Sequence, residues 1–178
     1  MNKPDHDDLH PPGVVATDSF TRLGQSVTGT LVPGSFPRLC EFVAVPEGEL
    51  RYRIEGSLVS EHGSEERRLR CIITGWVMLQ CQTTLKLLRH ELSIDRRLIL
   101  VESEDRLPPV EEEPDDEDYI VAGRELDLAA LIEDEVILDL PMVPRSPECD
   151  VKTGSEQENS RQPKGSPFDA LAALKRAK

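Results

Sequence analysis

Alternation of apolar and polar residues is clearest in the middle of the chain. Leu69, Cys71, Ile73, Val77, Leu79 and Cys81 occupy every second position, with Gly75 as the gap. Arg70, Thr74, Trp76, Gln80, Gln82 and Thr84 occupy the positions between them, a period of two that predicts a half-buried strand. Upstream, Leu50, Tyr52, Ile54 and Leu58 alternate with Arg51, Arg53, Glu55 and Ser57 in the same way, and His62-Gly-Ser-Glu65 breaks the run as a hairpin connection would. Further strands are predicted around Ile94 to Val101 and Tyr119 to Ala122, and a short extended piece within Leu23 to Thr30. Two stretches switch to helical spacing. Phe36, Leu39, Cys40 and Val43 form the stripe of a short helix over 35–43, with Ser35 as its cap and Pro37 in its first turn. Asp127 caps a second helix carrying Leu128, Leu131, Ile132, Val136 and Leu140, which Pro141 and Pro144 end.

These elements predict an α+β fold: an antiparallel sheet, curling toward a barrel, built mainly from residues 49–101 with both helices packed on it. Residues 1–20 show no periodicity and read as a flexible lead-in, residues 21–150 as the domain, and residues 151–178 as a disordered linker ending in a short helix. The run from Pro108 to Asp118 is acidic and broken by proline, which predicts a solvated, mobile segment.

Charge divides this picture. The 178 residues carry a formal net charge of −13. Between Arg51 and Arg97 nine Lys/Arg stand against six Asp/Glu, whereas between Glu102 and Asp139 two stand against sixteen. The first block suits phosphate and the second is repelled by it. Arg51, Arg53, Arg70, Arg96 and Arg97, with Trp76 to stack on a base, are therefore the candidate RNA-binding residues. The plainer alternative is an ordinary solvated sheet face. Glu133, Asp134 and Glu135, in the middle of the second helix, are candidates for holding a basic protein, or else simply solubilise the chain. At the carboxyl end Phe168, Leu171 and Leu174 recur every three residues, followed by Lys175 and Arg176. That pattern fits either a docking peptide for a partner's groove or a segment that packs on its own domain.

Catalytic and metal chemistry find little footing. Cys71 and Cys81 lie roughly 33 Å apart on an unbroken strand, too far to share an ion. No CxxC or HExxH spacing occurs, and the one HxxxH spacing is His6 to His10. His6 and His10 fall in the lead-in, His62 in a turn, and only His90 near the expected fold. No phosphate-binding Gly-rich loop is present. The expectation is a non-enzymatic protein with no metal, no cofactor and no small-molecule substrate. The opening residues have no apolar signal region and no apolar run reaches the ~20 residues of a membrane span. Cytoplasmic location with reduced cysteines follows.

Three stretches resemble the YceD family. Glu125-Leu-Asp-Leu-Ala-Ala-Leu-Ile-Glu-Asp-Glu-Val-Ile-Leu-Asp-Leu-Pro-Met-Val-Pro144 is similar to the family's acidic helix with its following Leu-Pro and second proline. Pro167-Phe-Asp-Ala-Leu-Ala-Ala-Leu-Lys-Arg176 is similar to the ending of many proteobacterial members. Val77-Met-Leu-Gln-Cys-Gln82 resembles a strand that in the family enters a Cys-x-x-Cys turn, although here Thr84 stands where the second cysteine would be. Some relatives carry further cysteines beyond the proline motif and look able to bind zinc; only Cys149 remains there. The resemblance implies a bacterial-type ribosome-biogenesis factor that promotes synthesis, processing or accumulation of large-subunit (23S) ribosomal RNA. Its partners would be ribosomal RNA, a large-subunit ribosomal protein or the pre-ribosome, with no membrane. The alternative is an acidic carrier of a basic ribosomal protein without RNA contact.

Overall fold

The computed structural model describes residues 11–61, 64–109 and 117–146. Its elements run β1 (Val14–Ala16), α1 (Thr17–Arg22), β2 (Ser26–Leu31), β3 (Val45–Glu61), β4 (Ser64–Gln80), β5 (Leu87–Val101), β6 (Asp118–Val121), β7 (Glu125–Asp127) and α2 (Leu128–Asp139). Short 3-10 turns cover Pro33–Ser35, Leu39–Glu41 and Glu104–Arg106.

The two alternating runs form strands as read, except that the second ends at Gln80, so Cys81 to Thr84 lie in a turn beyond it. β3 and β4 pair antiparallel from Leu50↔Gly75 to Glu61↔Ser64, and β5 pairs with β4 over its whole length. The inward positions Leu50, Tyr52, Ile54, Leu69, Cys71, Ile73, Val77, Leu79, Leu92 and Ile94 form one buried cluster. Five strands make up the main sheet, in the order β2-β3-β4-β5-β6, and β1 and β7 form a separate pair. The sheet is open, without a closed barrel among the described residues. Among those residues no β2–β6 pairing closes it, and β6 is a four-residue strand that runs parallel to β5. The core face is covered by helices instead of by further strands. α2 lays Leu128, Leu131, Ile132 and Val136 into the core, and Asp127 caps it by accepting from the Ala129 and Ala130 N–H groups.

Two further expectations give way. The 35–43 helix is replaced by the two 3-10 turns, because the residue before a proline avoids helical backbone. Phe36, preceding Pro37, is extended at φ −115° and ψ 110°, which separates the turns. The same residues still reach the core through Phe36 and Leu39. The lead-in also ends earlier than expected: Val14–Ala16 is a strand and Thr17–Arg22 a helix whose Phe20 is buried. A helix of six residues with one apolar side chain has no periodicity to detect. Its position depends on Gly56, where a Cβ would approach the Phe20 ring to 2.7 Å. No helix among the described residues is long and apolar enough to cross a membrane.

Candidate functional site

Strand register decides which charged side chains share a surface. Arg51 lies opposite Thr74, Arg53 opposite Ile72, and Glu55 opposite Arg70, which in turn faces Arg97 on β5. Trp76 sits between Glu49 and Glu91. Arg51, Arg53, Arg70, Arg97 and Trp76 are thus brought together on the outer face of the sheet. Arg96 is not among them: it pairs with the buried Cys71 and belongs to the other face, with its Nε 3.6 Å from Glu135. A period of two separates neighbours, so Arg96 and Arg97 never share a side.

The outer face is not a cationic surface, which corrects the expected charge division. Arg51 pairs with Glu49 and Arg53 with Glu55. Arg70 grips Asp95 through two hydrogen bonds of 2.9 and 2.7 Å. Arg68 bridges Glu66 at 2.7 Å and Glu117 at 3.1 Å, and Arg89 reaches Glu91 at 2.6 Å. Arg89 also lies over Trp76, 4.4 Å from the ring centroid. Most of these carboxylates come from the same strands as the arginines: Glu55, Glu66, Glu91 and Asp95 are among the six already counted, and Glu49 and Glu117 come from outside that block. The hydrogen bond from Arg70 holds the Asp95 carboxyl below its usual range.

The acidic triplet on α2 is also placed differently from the expected partner-binding surface. Glu133 and Glu135 are buried and only Asp134 is exposed. One Glu133 oxygen accepts from the backbone N–H of Arg38 at 2.7 Å and of Leu39 at 3.0 Å, while the other accepts from the Arg38 guanidinium at 2.9 Å. Asp134 completes the clamp at 2.6 Å from Arg38. Arg38 gave no signal in the sequence, because a single arginine after a proline has no pattern. Phe168, Leu171, Leu174, Lys175 and Arg176 lie outside the described residues.

Burial pushes the Glu135 carboxyl up, against the opposing pull of Arg96. A raised carboxyl pKa means that the folded chain holds the proton more tightly than the unfolded one. Charging Glu135 therefore costs stability above its folded pKa, and acidification toward the ordinary glutamate value relieves that cost. Glu135→Gln is expected to raise the urea midpoint at neutral pH and to flatten its rise on mild acidification. An unchanged midpoint–pH curve would show that Glu135 is as solvated as an ordinary glutamate. Asp95 acts in the opposite sense at lower pH, since a depressed carboxyl loses its contribution as pH falls through its folded value.

Where the family has a Cys-x-x-Cys turn, Thr84 takes the second cysteine's place and serves the first. Hydrogen bonding from the Thr84 side chain, then from the Thr84 and Ser146 backbone N–H groups, pulls the Cys81 thiol down to about 6. The Ser146 N–H lies 3.4 Å from Cys81 Sγ, and the Gln82 N–H donates to the Pro144 carbonyl at 3.0 Å, so the segment after α2 returns over this turn. Cys71, enclosed in the core, has its thiol pushed up to about 12 by burial. Among the described residues no group of three or more His, Cys, Asp and Glu side chains is placed to hold a metal ion.

No curated protein and no solved structure matches the chain. The family model for the large ribosomal RNA subunit accumulation protein YceD matches residues 69–175, more than half of the sequence, from β4 through α2 and beyond. The resemblance carried by the acidic helix, the proline motif and the Pro-Phe ending therefore holds over residues 69–175, and the chain belongs to the YceD family.

Proposed function

We propose that this protein promotes large-subunit ribosomal RNA accumulation by binding, without catalysing a reaction, in the cytoplasm, and that the outer face of its sheet meets the RNA. Family membership supplies the role. The supporting observation for the contact is the convergence of Arg51, Arg53, Arg70 and Arg97 with Trp76 on one exposed face. RNA phosphates would take over guanidiniums now held by Glu49, Glu55 and Asp95, and a base would share Trp76 with Arg89. The exchange makes such binding moderate in strength and selective for RNA that presents several phosphates at the spacing of the strands.

Filter binding with 23S transcript tests this reading. Arg51→Glu, Arg53→Glu and Arg70→Glu together are expected to abolish the salt-sensitive part of the affinity, each lost single-strand phosphate contact reducing the log–log salt slope by about 0.7. In cells, deletion of the gene is expected to lower mature 23S RNA. Normal RNA levels and normal subunits in the deletion strain would defeat the family role for this protein, whereas unaltered binding by the triple variant would defeat only the sheet-face contact.

A second reading, an acidic carrier of a basic large-subunit ribosomal protein, is favoured by one observation: Arg51, Arg53 and Arg70 each already have a carboxylate partner in a chain of net charge −13. Tight binding of such a protein that survives the triple reversal and is lost when the carboxylates of 111–118 are neutralised would establish it.

A further inference from the structure

The fold leaves a set of large apolar side chains uncovered in one place. Leu138, on the side of α2 turned from the core, is 75% exposed, Phe42 is 56% exposed and Met142 lies wholly in solvent. They are neighbours. A hollow of about 390 Å³ is bounded by Phe42, Ile137 and Leu138 together with Glu41 and Asp134. A second, of about 330 Å³, is bounded by Phe42, Glu41 and Met142. Phe42 and Glu41 belong to both, so the two hollows form one surface with an aromatic ring at its centre. Apolar surface gathered at Phe42, Ile137 and Leu138 in the first hollow marks an interaction site more often than scattered single residues do, and the second hollow adds a more polar wall.

The charge around it is one-sided. Arg38 is the cation lining the first hollow, and it is already held by Glu133 and Asp134. Of the charged side chains lining the first hollow, Glu41 and Asp134 are negative and Arg38 is positive. The Glu133 clamp also fixes α2 to the Leu39–Glu41 turn, so the two walls of the site are held at a set distance without a ligand.

We propose that this surface docks a cationic amphipathic segment of a protein partner. Apolar side chains one helical turn apart would enter the hollows around Phe42, and lysines or arginines beside them would meet Glu41, Asp134 being already held by Arg38. The rim disfavours an acidic occupant, and a second copy of this chain, at net charge −13, is repelled at long range. The site includes none of the outer-face arginines and not Trp76, so it works whether or not that face meets RNA. It goes beyond the proposed function by adding a protein-binding surface and stating what that surface recognises.

The test is fluorescence anisotropy of the full chain with a labelled synthetic helix of leucine and lysine, about 18 residues long, its leucines spaced three and four apart. A scrambled peptide of the same composition is the control. The striped peptide is expected to bind about tenfold more tightly than the scrambled one. Phe42→Ser with Leu138→Ser is expected to erase that difference while RNA binding is unchanged. Glu41→Lys, at an exposed position that leaves the core alone, is expected to weaken the striped peptide severalfold even if the double variant folds poorly. Equal affinity for the two peptides, or insensitivity to Glu41→Lys, would overturn the proposal. So would an increase in affinity on replacing Phe168, Leu171 and Leu174 with alanine, since the chain's own end would then be the occupant. A dimer in sedimentation that Phe42→Ser with Leu138→Ser dissociates would assign the surface to a second copy and overturn it as well.

Discussion

Gly75→Ala is expected to cost about 3–5 kcal/mol, a large share of the ~5–15 kcal/mol that keeps a domain folded. Gly75 has φ +147°, a backbone conformation that a side chain rarely adopts. A Cβ built there would lie 1.8 Å from the Glu49 carbonyl oxygen and 2.8 Å from its carbon. Both obstacles are backbone, so no rotamer change relieves them, and β3 would have to move away from β4. The register irregularity between Val45 and Gly48 lies just beyond this crossing, where Gly48 also has no space for a side chain against Pro33 and the Trp76 carbonyl. Backbone strain of about 1–3 kcal/mol adds to an overpacking cost of similar size. Thermal melting is the measurement, with an expected fall on the order of 10 °C for a chain of this length. A midpoint within about 2 °C of the parent would mean that the strands cross elsewhere.

Glu133→Ala is expected to be nearly as damaging, at about 2–4 kcal/mol, because it removes an acceptor without removing its donors. The side chain is 7% exposed and serves the Arg38 and Leu39 N–H groups together with the Arg38 guanidinium. Truncation leaves two backbone donors at a turn that has no other capping group, since Arg38 makes no side-chain cap there. Glu133→Gln keeps the shape and one good acceptor, so it is expected to cost about half as much. Urea unfolding of both variants, with the exposed Glu41→Ala as reference, measures the difference. A Glu133→Ala midpoint equal to that of Glu41→Ala would show that α2 is held by its apolar face alone. The prediction matters for function, because the proposed docking surface stands on the two elements that Glu133 joins.

Two of the central strands, β3 and β4, were legible because their inward and outward positions alternate, whereas β5 was expected only around Ile94 to Val101 and extends back to Leu87. Leu50, Tyr52 and Ile54, then Leu69 to Leu79, are all buried as their alternation predicts. Gly75 appeared as a gap in that pattern, and only the fold shows that the gap admits a backbone. The α2 helix was legible from Asp127 and the apolar spacing behind it. Its acidic middle was not: Glu133, Asp134 and Glu135 look identical in the sequence, yet two of them are buried and each meets a different arginine. Helix α1 was missed because six residues with one apolar side chain show no period.

Local pattern determined the secondary structure of this protein's centre, the inward face of each strand and the family, because each of these depends on residues a few positions apart. Charge placement depends partly on neighbours two residues along a strand, as for Arg51 and Glu49, and partly on strand register and on which helix lies over which turn, which are long-range facts. Arg70 meets Asp95 and Arg38 meets Glu133 across separations of 25 and 95 residues. A count of charges along the sequence therefore pointed to a cationic sheet and an acidic arm, and the tertiary structure paired the two signs instead. Ion pairing acts over a few ångströms in space, and sequence distance says little about that.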